Sequence, residues 1–154
     1  MSGMRIDVAD LLSHPGARRI ARLEARLDGL AGSAAQVDGP VRVDLSLERI
    51  PSGIVARGEV ATTWRAQCSV CLRELERGLD VQVDELFEAE PVEGETYPIE
   101  GHEIDLEQLV RDIVMLDLPL APHCDTPCVP ARAPAAEAEA SADPRWAVLS
   151  ELEL

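Results

Sequence analysis

Two close pairs of cysteines, Cys68-Ser69-Val70-Cys71 and Cys124-Asp125-Thr126-Pro127-Cys128, lie far apart in this chain. Thiolates two or three residues apart reach one tetrahedral ion from a single turn, and a second such pair completes a four-sulfur shell. A fold that uses all four must bring two distant loops to one point. The spacing predicts a structural metal site with Cys68, Cys71, Cys124 and Cys128 as ligands and Zn2+ as the ion, although four sulfurs suit iron as well. His123, next to Cys124, offers an imidazole in place of one sulfur. Four protein sulfurs leave no open position for water, so such a site is structural rather than hydrolytic.

The segments flanking the first pair read as strands. Val41, Val43, Leu45 and Leu47 alternate with Arg42, Asp44, Ser46 and Glu48, the period of a strand with one buried face. Pro51-Ser52-Gly53 turns the chain. Ile54, Ala56, Val60, Thr62, Trp64 and Ala66 then share one parity, with Arg57, Glu59, Thr63 and Arg65 on the other, which predicts a long antiparallel hairpin. Leu75, Leu79, Val81, Val83 and Phe87 resume the alternation, so Cys68 to Cys71 reads as a knuckle joining two strands of one sheet.

The rest of the chain is read the same way. Residues 4–12 predict a short strand ended by His14-Pro15-Gly16. Ile20, Leu23, Leu27 and Leu30 recur at helical spacing, with Arg18, Arg19, Arg22 and Arg26 on other faces, which predicts an amphipathic helix from Ala17 to Leu30, or a segment that becomes one on docking. Glu88 to Glu103 lacks any period and predicts an acidic loop. Asp105 opens a helix, with Gln108 at the capping-box position and Ile104 and Leu109 placed for a hydrophobic staple; Leu106, Leu109, Val110, Ile113 and Val114 form its apolar face, and Pro119 ends it. The second cysteine pair lies in a loop carrying Pro119, Pro122, Pro127 and Pro130. The expected architecture is α+β: a curved antiparallel sheet, barrel-like, packed by the Asp105 helix. One domain is expected over 1–130, a flexible Ala-Glu-Pro linker over 131–142, and over 143–154 a short docking helix carrying Trp146, started by Asp143 and Pro144.

Charge narrows the function. The net charge is −15 and there is no lysine, so every fixed cation is a guanidinium. Residues 74–117 hold fifteen acids against Arg77 and Arg111 alone, whereas residues 1–73 hold eight acids and ten arginines. Such a field opposes general phosphate neutralisation of a nucleic acid. No apolar run is long enough to cross a bilayer, and Arg and Asp interrupt the first 25 residues where a secretory signal needs an apolar centre, so a soluble cytoplasmic protein is expected.

Catalysis finds little support. His14, His102 and His123 fall in loops, no nucleophile motif surrounds any serine, and no glycine-rich loop joins a strand to a helix. Two rival readings stand beside the metal site. Cys68 and Cys71 could serve a thiol-disulfide oxidoreductase, although such pairs normally open a helix that lowers the thiol pKa, and here strand patterns bracket them. The arginine helix over 18–26 could grip RNA phosphates directly, although no aromatic residues interleave with its arginines.

Asp10-Leu11-Leu12 with His14-Pro15-Gly16, the Cys68-x-x-Cys71-Leu72 knuckle, Asp105-Leu106-Glu107-Gln108-Leu109-Val110 running into Leu118-Pro119, and the closing Asp143-Pro144-Arg145-Trp146 together resemble the YceD family of bacteria and plastids. The resemblance covers almost the whole chain. It implies a role in accumulation or processing of large-subunit ribosomal RNA, hence in ribosome assembly, and implies no catalytic activity. One feature departs from the family pattern: many relatives continue the second cluster as Gly-Leu-Cys-Pro-x-Cys-Gly, whereas Cys128 is followed here by Val129-Pro130-Ala131. A polyanionic surface suits a basic ribosomal protein. The expected role is a non-catalytic, zinc-stapled adaptor that contacts a ribosomal protein or pre-ribosomal particle through Glu74 to Asp117. Its effect on ribosomal RNA is then partly indirect, with no membrane and no small-molecule substrate involved.

Overall fold

In the computed structural model, which describes residues 3–131 and 144–145, the elements run β1 (Arg5–Asp7), α1 (Ala9–Ser13), β2 (Arg18–Ala25), β3 (Ala35–Val37), β4 (Val41–Ile50), β5 (Gly53–Gln67), β6 (Glu74–Glu88), β7 (Tyr97–Glu100), β8 (Glu103–Asp105) and α2 (Leu106–Asp117). The strands form one sheet in the order β1-β8-β7-β6-β5-β4-β2, with β3 also on β5. It curls into a half-barrel with α2 as the main helix, so the expected α+β class and barrel-like curvature hold. The sheet is mixed rather than wholly antiparallel, because Tyr97 and Pro98 run parallel to Phe87 and Glu88.

The predicted hairpin is the centre of the sheet. Val41, Val43, Leu45 and Leu47 of β4 are buried, as are Ile54, Ala56, Val60, Thr62 and Trp64 of β5, while Arg42, Asp44, Arg57 and Glu59 point to solvent. One glycine is required there. Gly58 opposite Leu45 has φ +152°, and a Cβ on it would strike the Asp44 carbonyl, so only glycine lets β4 and β5 close at this register.

Three segments differ from their expected secondary structure. The segment Ala17 to Leu30 is not a helix: Arg18–Ala25 is strand β2, paired residue by residue with β4. The same residues also carry period two, with Ala21 buried and Leu23 and Ala25 half-buried between exposed Arg18, Ile20, Arg22 and Glu24. The free edge of β4 decides between the periods, because eight residues of backbone pairing, Arg18↔Glu48 to Ala25↔Val41, satisfy groups that a surface helix would leave open on that edge. Three of the facing pairs are ion pairs of 3.0 Å: Arg18 with Glu48, Arg22 with Asp44, and Arg42 with Glu24.

Residues 4–12 divide into β1 and helix α1 rather than one strand, since Met4, Val8 and Leu11 are all buried and Asp7 Oδ1 accepts the Ala9 amide at 2.8 Å, starting a turn. The segment Glu88 to Glu103 is not all loop, for β7 and the start of β8 lie within it. Short strands joined by Gly101-His102, with Gly101 at φ +65°, give too few residues for a visible period.

Helix α2 closes the core. Leu106, Leu109, Val110 and Val114 are fully buried, Ile113 partly, and Ile104 and Leu109 flank its start as a staple would. Asp105 caps it by accepting the Glu107 amide at 2.9 Å. Gln108 does not complete a capping box, because its amide donates forward to Asp112 Oδ1 at 2.8 Å. The expected linker over 131–142 and docking helix over 143–154 fall outside the described residues, apart from Ala131, Pro144 and Arg145.

Candidate metal centre

Strands β5 and β6 pair to Gln67 and Glu74, and the six residues between them must reverse the chain. Cys68 N donates to Arg73 O at 2.8 Å and Leu72 N to Cys68 O at 3.0 Å. Leu72 takes a positive φ of 60°, unusual for leucine, to close this turn. The turn folds two backbone amides over one sulfur: Val70 N and Cys71 N approach Cys68 Sγ at 3.4 and 3.5 Å. The predicted knuckle is therefore present, at the end of the central hairpin.

The second loop leaves α2 through Leu118 and Pro119 and runs back across the knuckle. Backbone bonds fasten it on both sides of its cysteines: Ser69 N donates to Pro122 O at 2.7 Å, and Ala131 N to Val70 O at 2.9 Å. A third tie comes from β6. Arg77 Nη2 donates to the His123 carbonyl at 2.8 Å and pairs with Asp125 at 3.1 Å, while its guanidinium carbon lies 5.9 Å from the centroid of a Trp64 ring.

These ties bring the cysteines together. Cys68 and Cys128 Sγ stand 3.7 Å apart, Cys71 and Cys124 Sγ 3.6 Å, and all four sulfurs lie within 4.8 Å of one another. Four sulfurs bound to one tetrahedral ion at about 2.3 Å would stand about 3.8 Å apart. A disulfide needs about 2.05 Å, and all four cysteines are free. The cluster could thus hold a metal ion, with Cys68 buried and the other three half-buried. His123 is not part of it; its Nδ1 lies 3.3 Å from the Ala121 carbonyl.

The electrostatics single out one sulfur. The Cys71 amide, seconded by that of Val70, draws the Cys68 thiol down to about 6 against the opposing effect of burial. The other loop behaves oppositely: the Cys71 thiol hydrogen bond, then burial, push Cys124 up to about 12, and burial followed by the Cys68 contact raises Cys128. Ionising all four in one place is opposed unless a cation supplies the missing charge.

Sequence reasoning located the four sulfurs but not what aligns them. Ser69, Pro122, Val70 and Ala131 act through backbone atoms, which leave no trace in residue type. Arg77 had a signal, being one of two arginines in the acidic stretch 74–117. The arginines expected on an RNA-gripping helix over 18–26 are instead mostly outer-face strand residues; Arg18 and Arg22 pair with β4 carboxylates, and Arg19 reaches Asp10 and the Asp7 carbonyl.

The fold and site together define a class: a curled α+β half-barrel with a four-thiol cluster where its central hairpin ends. The family model described as large ribosomal RNA subunit accumulation protein YceD matches residues 56–153, and the chain belongs to that family. The match begins inside β5 and contains both cysteine pairs and α2. Uncharacterized proteins of Mycobacterium bovis and Mycobacterium tuberculosis are each 30% identical over 98% of this chain and 82% of their own. An uncharacterized protein of Mycobacterium leprae is 28% identical over 83% of this chain and 64% of its own. No solved structure matches the chain. The family's description supports a ribosome-related role and names no reaction. No helix among the described residues is long and apolar enough to cross a membrane.

Proposed function

We propose that this protein is a non-catalytic factor in the accumulation of large-subunit ribosomal RNA, acting during ribosome assembly as a zinc-stapled adaptor for a basic ribosomal protein. Family membership carries the ribosomal part, since the description names accumulation of that RNA. Charge carries the partner. Most arginines of the sheet are matched by neighbouring carboxylates, Arg57 with Asp84 and Arg65 with Asp38 and Glu76 in addition to the β2–β4 pairs, while Arg49 donates to the Ile50 and Gly53 carbonyls. The excess of acid on 74–117 then faces solvent, where it attracts a polycation and repels RNA.

Zn2+ on Cys68, Cys71, Cys124 and Cys128 would join the knuckle to the loop after α2. The donor set supports this: four soft sulfurs at near-tetrahedral spacing, with two amides supporting Cys68. A fully occupied sulfur shell offers no site for substrate, which favours a structural role. A dithiol oxidoreductase using Cys68 and Cys71 is less favoured, because the closest sulfur approaches run between the loops rather than within the first pair and Cys68 is buried.

The partner is tested by capturing proteins from nuclease-treated ribosomal extract on tagged protein under graded salt. Retention of basic ribosomal proteins at low salt, lost as salt rises, is expected. In a parallel capture from extract not treated with nuclease, recovery of ribosomal RNA by the tagged protein after all protein partners are stripped would overturn the adaptor reading.

A further inference from the structure

Beside α2, away from the cysteines, lies a cleft of about 490 Å³ between the helix and the segment around Tyr97. Ile113, Met115 and Leu116 supply its apolar wall, and Glu85, Glu95 and Asp112 its carboxylates. Leu116 is 86% exposed and Met115 39%, an unusual position for two large apolar side chains at the end of a helix that otherwise seals the core. Asp112 stands one turn before Leu116 on the same face, its carboxylate accepting from Tyr97 Oη at 3.0 Å and Gln108 Nε2 at 2.8 Å.

No cation of the described residues offsets this acidity. Glu85, Glu95 and Asp112 make no ion pair there, and Arg111, the arginine of α2, is turned onto Glu107 at 2.8 Å and the Asp28 carbonyl at 2.7 Å. An apolar wall beside unneutralised carboxylates selects one kind of occupant. We infer that this cleft docks a lysine- or arginine-rich segment of a basic protein, with an apolar side chain of that segment against Leu116 and Met115 and its cations on Glu85, Glu95 and Asp112.

Two other occupants have the wrong charge. Residues 132–154 of the chain carry Glu137, Glu139, Asp143, Glu151 and Glu153 against Arg132 and Arg145, and a second copy would bring the same carboxylates to meet themselves. The inference rests on the acidic-adaptor reading and narrows it to one groove whose specificity is apolar as well as ionic.

The test uses the full chain and a fluorescent 18-residue peptide with leucines at helical spacing among lysines, against a scrambled peptide of equal composition. Binding is followed by polarisation at two salt concentrations, for wild type, Leu116→Ser and Glu95→Lys. Both positions are exposed, so thermal melting should stay at the wild-type value and report intact folding. Each variant should bind the patterned peptide at least about tenfold more weakly, and wild type should prefer it to the scramble by a similar factor. Equal binding of both peptides, or unchanged binding by Leu116→Ser, would overturn the groove and leave only general acidity.

A photo-crosslinking benzoylphenylalanine in place of Leu116 names the occupant. Crosslinks to the patterned peptide support the proposal, whereas crosslinks to residues 132–154 or to a second copy overturn it. The same variants in the ribosomal-extract capture separate the two readings. If wild type retains basic ribosomal proteins and Leu116→Ser retains them equally, the groove fails and the adaptor stands. If wild type retains none, the adaptor fails, and the groove stands only on peptide binding that depends on Leu116.

Discussion

Replacing Arg77 by methionine isolates how firmly the second cysteine loop is held. Methionine keeps an unbranched side chain beside Trp64 but removes the guanidinium, and with it three contacts. The charge-assisted bond to the His123 carbonyl at 2.8 Å is the largest, worth about 1–1.5 kcal/mol in its solvent-exposed setting. The pair with Asp125 adds about 0–1 kcal/mol, because that carboxylate is 84% exposed and screened. The Trp64 contact at 5.9 Å is at the limit of a cation–π interaction and adds about 0.5 kcal/mol at most. Since Arg77 itself is 30% exposed, about 2 kcal/mol is a fair total; the bonds to His123 and Asp125, most of it, act on docking of the loop, whereas the Trp64 contact lies within the sheet.

Ion binding needs both loops in place, so this loss should appear as metal affinity weakened about 30-fold, at 1.4 kcal/mol per factor of ten. Competition against a chromogenic chelator at fixed pH measures it. Asp125→Asn should change the affinity by less than about fivefold, in line with an exposed pair. The reasoning is refuted if Arg77→Met binds metal as wild type does, or if its defect is a fall in global melting temperature with metal affinity unchanged.

Three further outcomes are expected. Gly58→Ala should lose at least about 2 kcal/mol in chemical denaturation, because its Cβ meets the Asp44 carbonyl at a φ that favours glycine; an unchanged midpoint would contradict the close approach of β4 and β5. Leu109→Ala should cost about 2–5 kcal/mol, since the side chain is fully buried under α2, and a loss below 1 kcal/mol would mean that the helix does not seal the core. The Ala9 amide, aided by His102 and Arg19, holds the Asp7 carboxyl below its ordinary 3.8. A lowered acid stabilises the fold above the unfolded value and ceases to do so as pH falls through the folded one, so the amide signal of Ala9 should shift only below about pH 4. A midpoint above 4 would remove Asp7 as the acceptor that holds the Ala9 amide in the turn ahead of α1.

Much of this molecule was legible where one face of a long strand is buried. The alternation from Val41 to Ala66 and again to Phe87 located β4, β5 and β6, and hence the knuckle, because period two over many residues has no competing reading. Asp105 and the apolar face of α2 were legible for the same reason at period 3.6. Between Arg18 and Ala25 two periods coexist, and the choice fell to the unpaired edge of β4, a partner that local pattern does not encode. Strands β7 and β8 have four and three residues, too short to display any period among so many glutamates. At the candidate centre the ligand types and spacing were readable, whereas the amides of Ser69 and Ala131 that fasten the second loop were not, since any residue but proline could supply them.

The shared cation is the claim on which the adaptor's shape depends, and elemental analysis of the freshly purified native chain addresses it most directly. The account predicts one zinc ion per chain, with the four thiols unreactive until a chelator removes it. Protein purified without metal, with four freely reactive thiols or a readily reduced disulfide between Cys68 and Cys71, would contradict it.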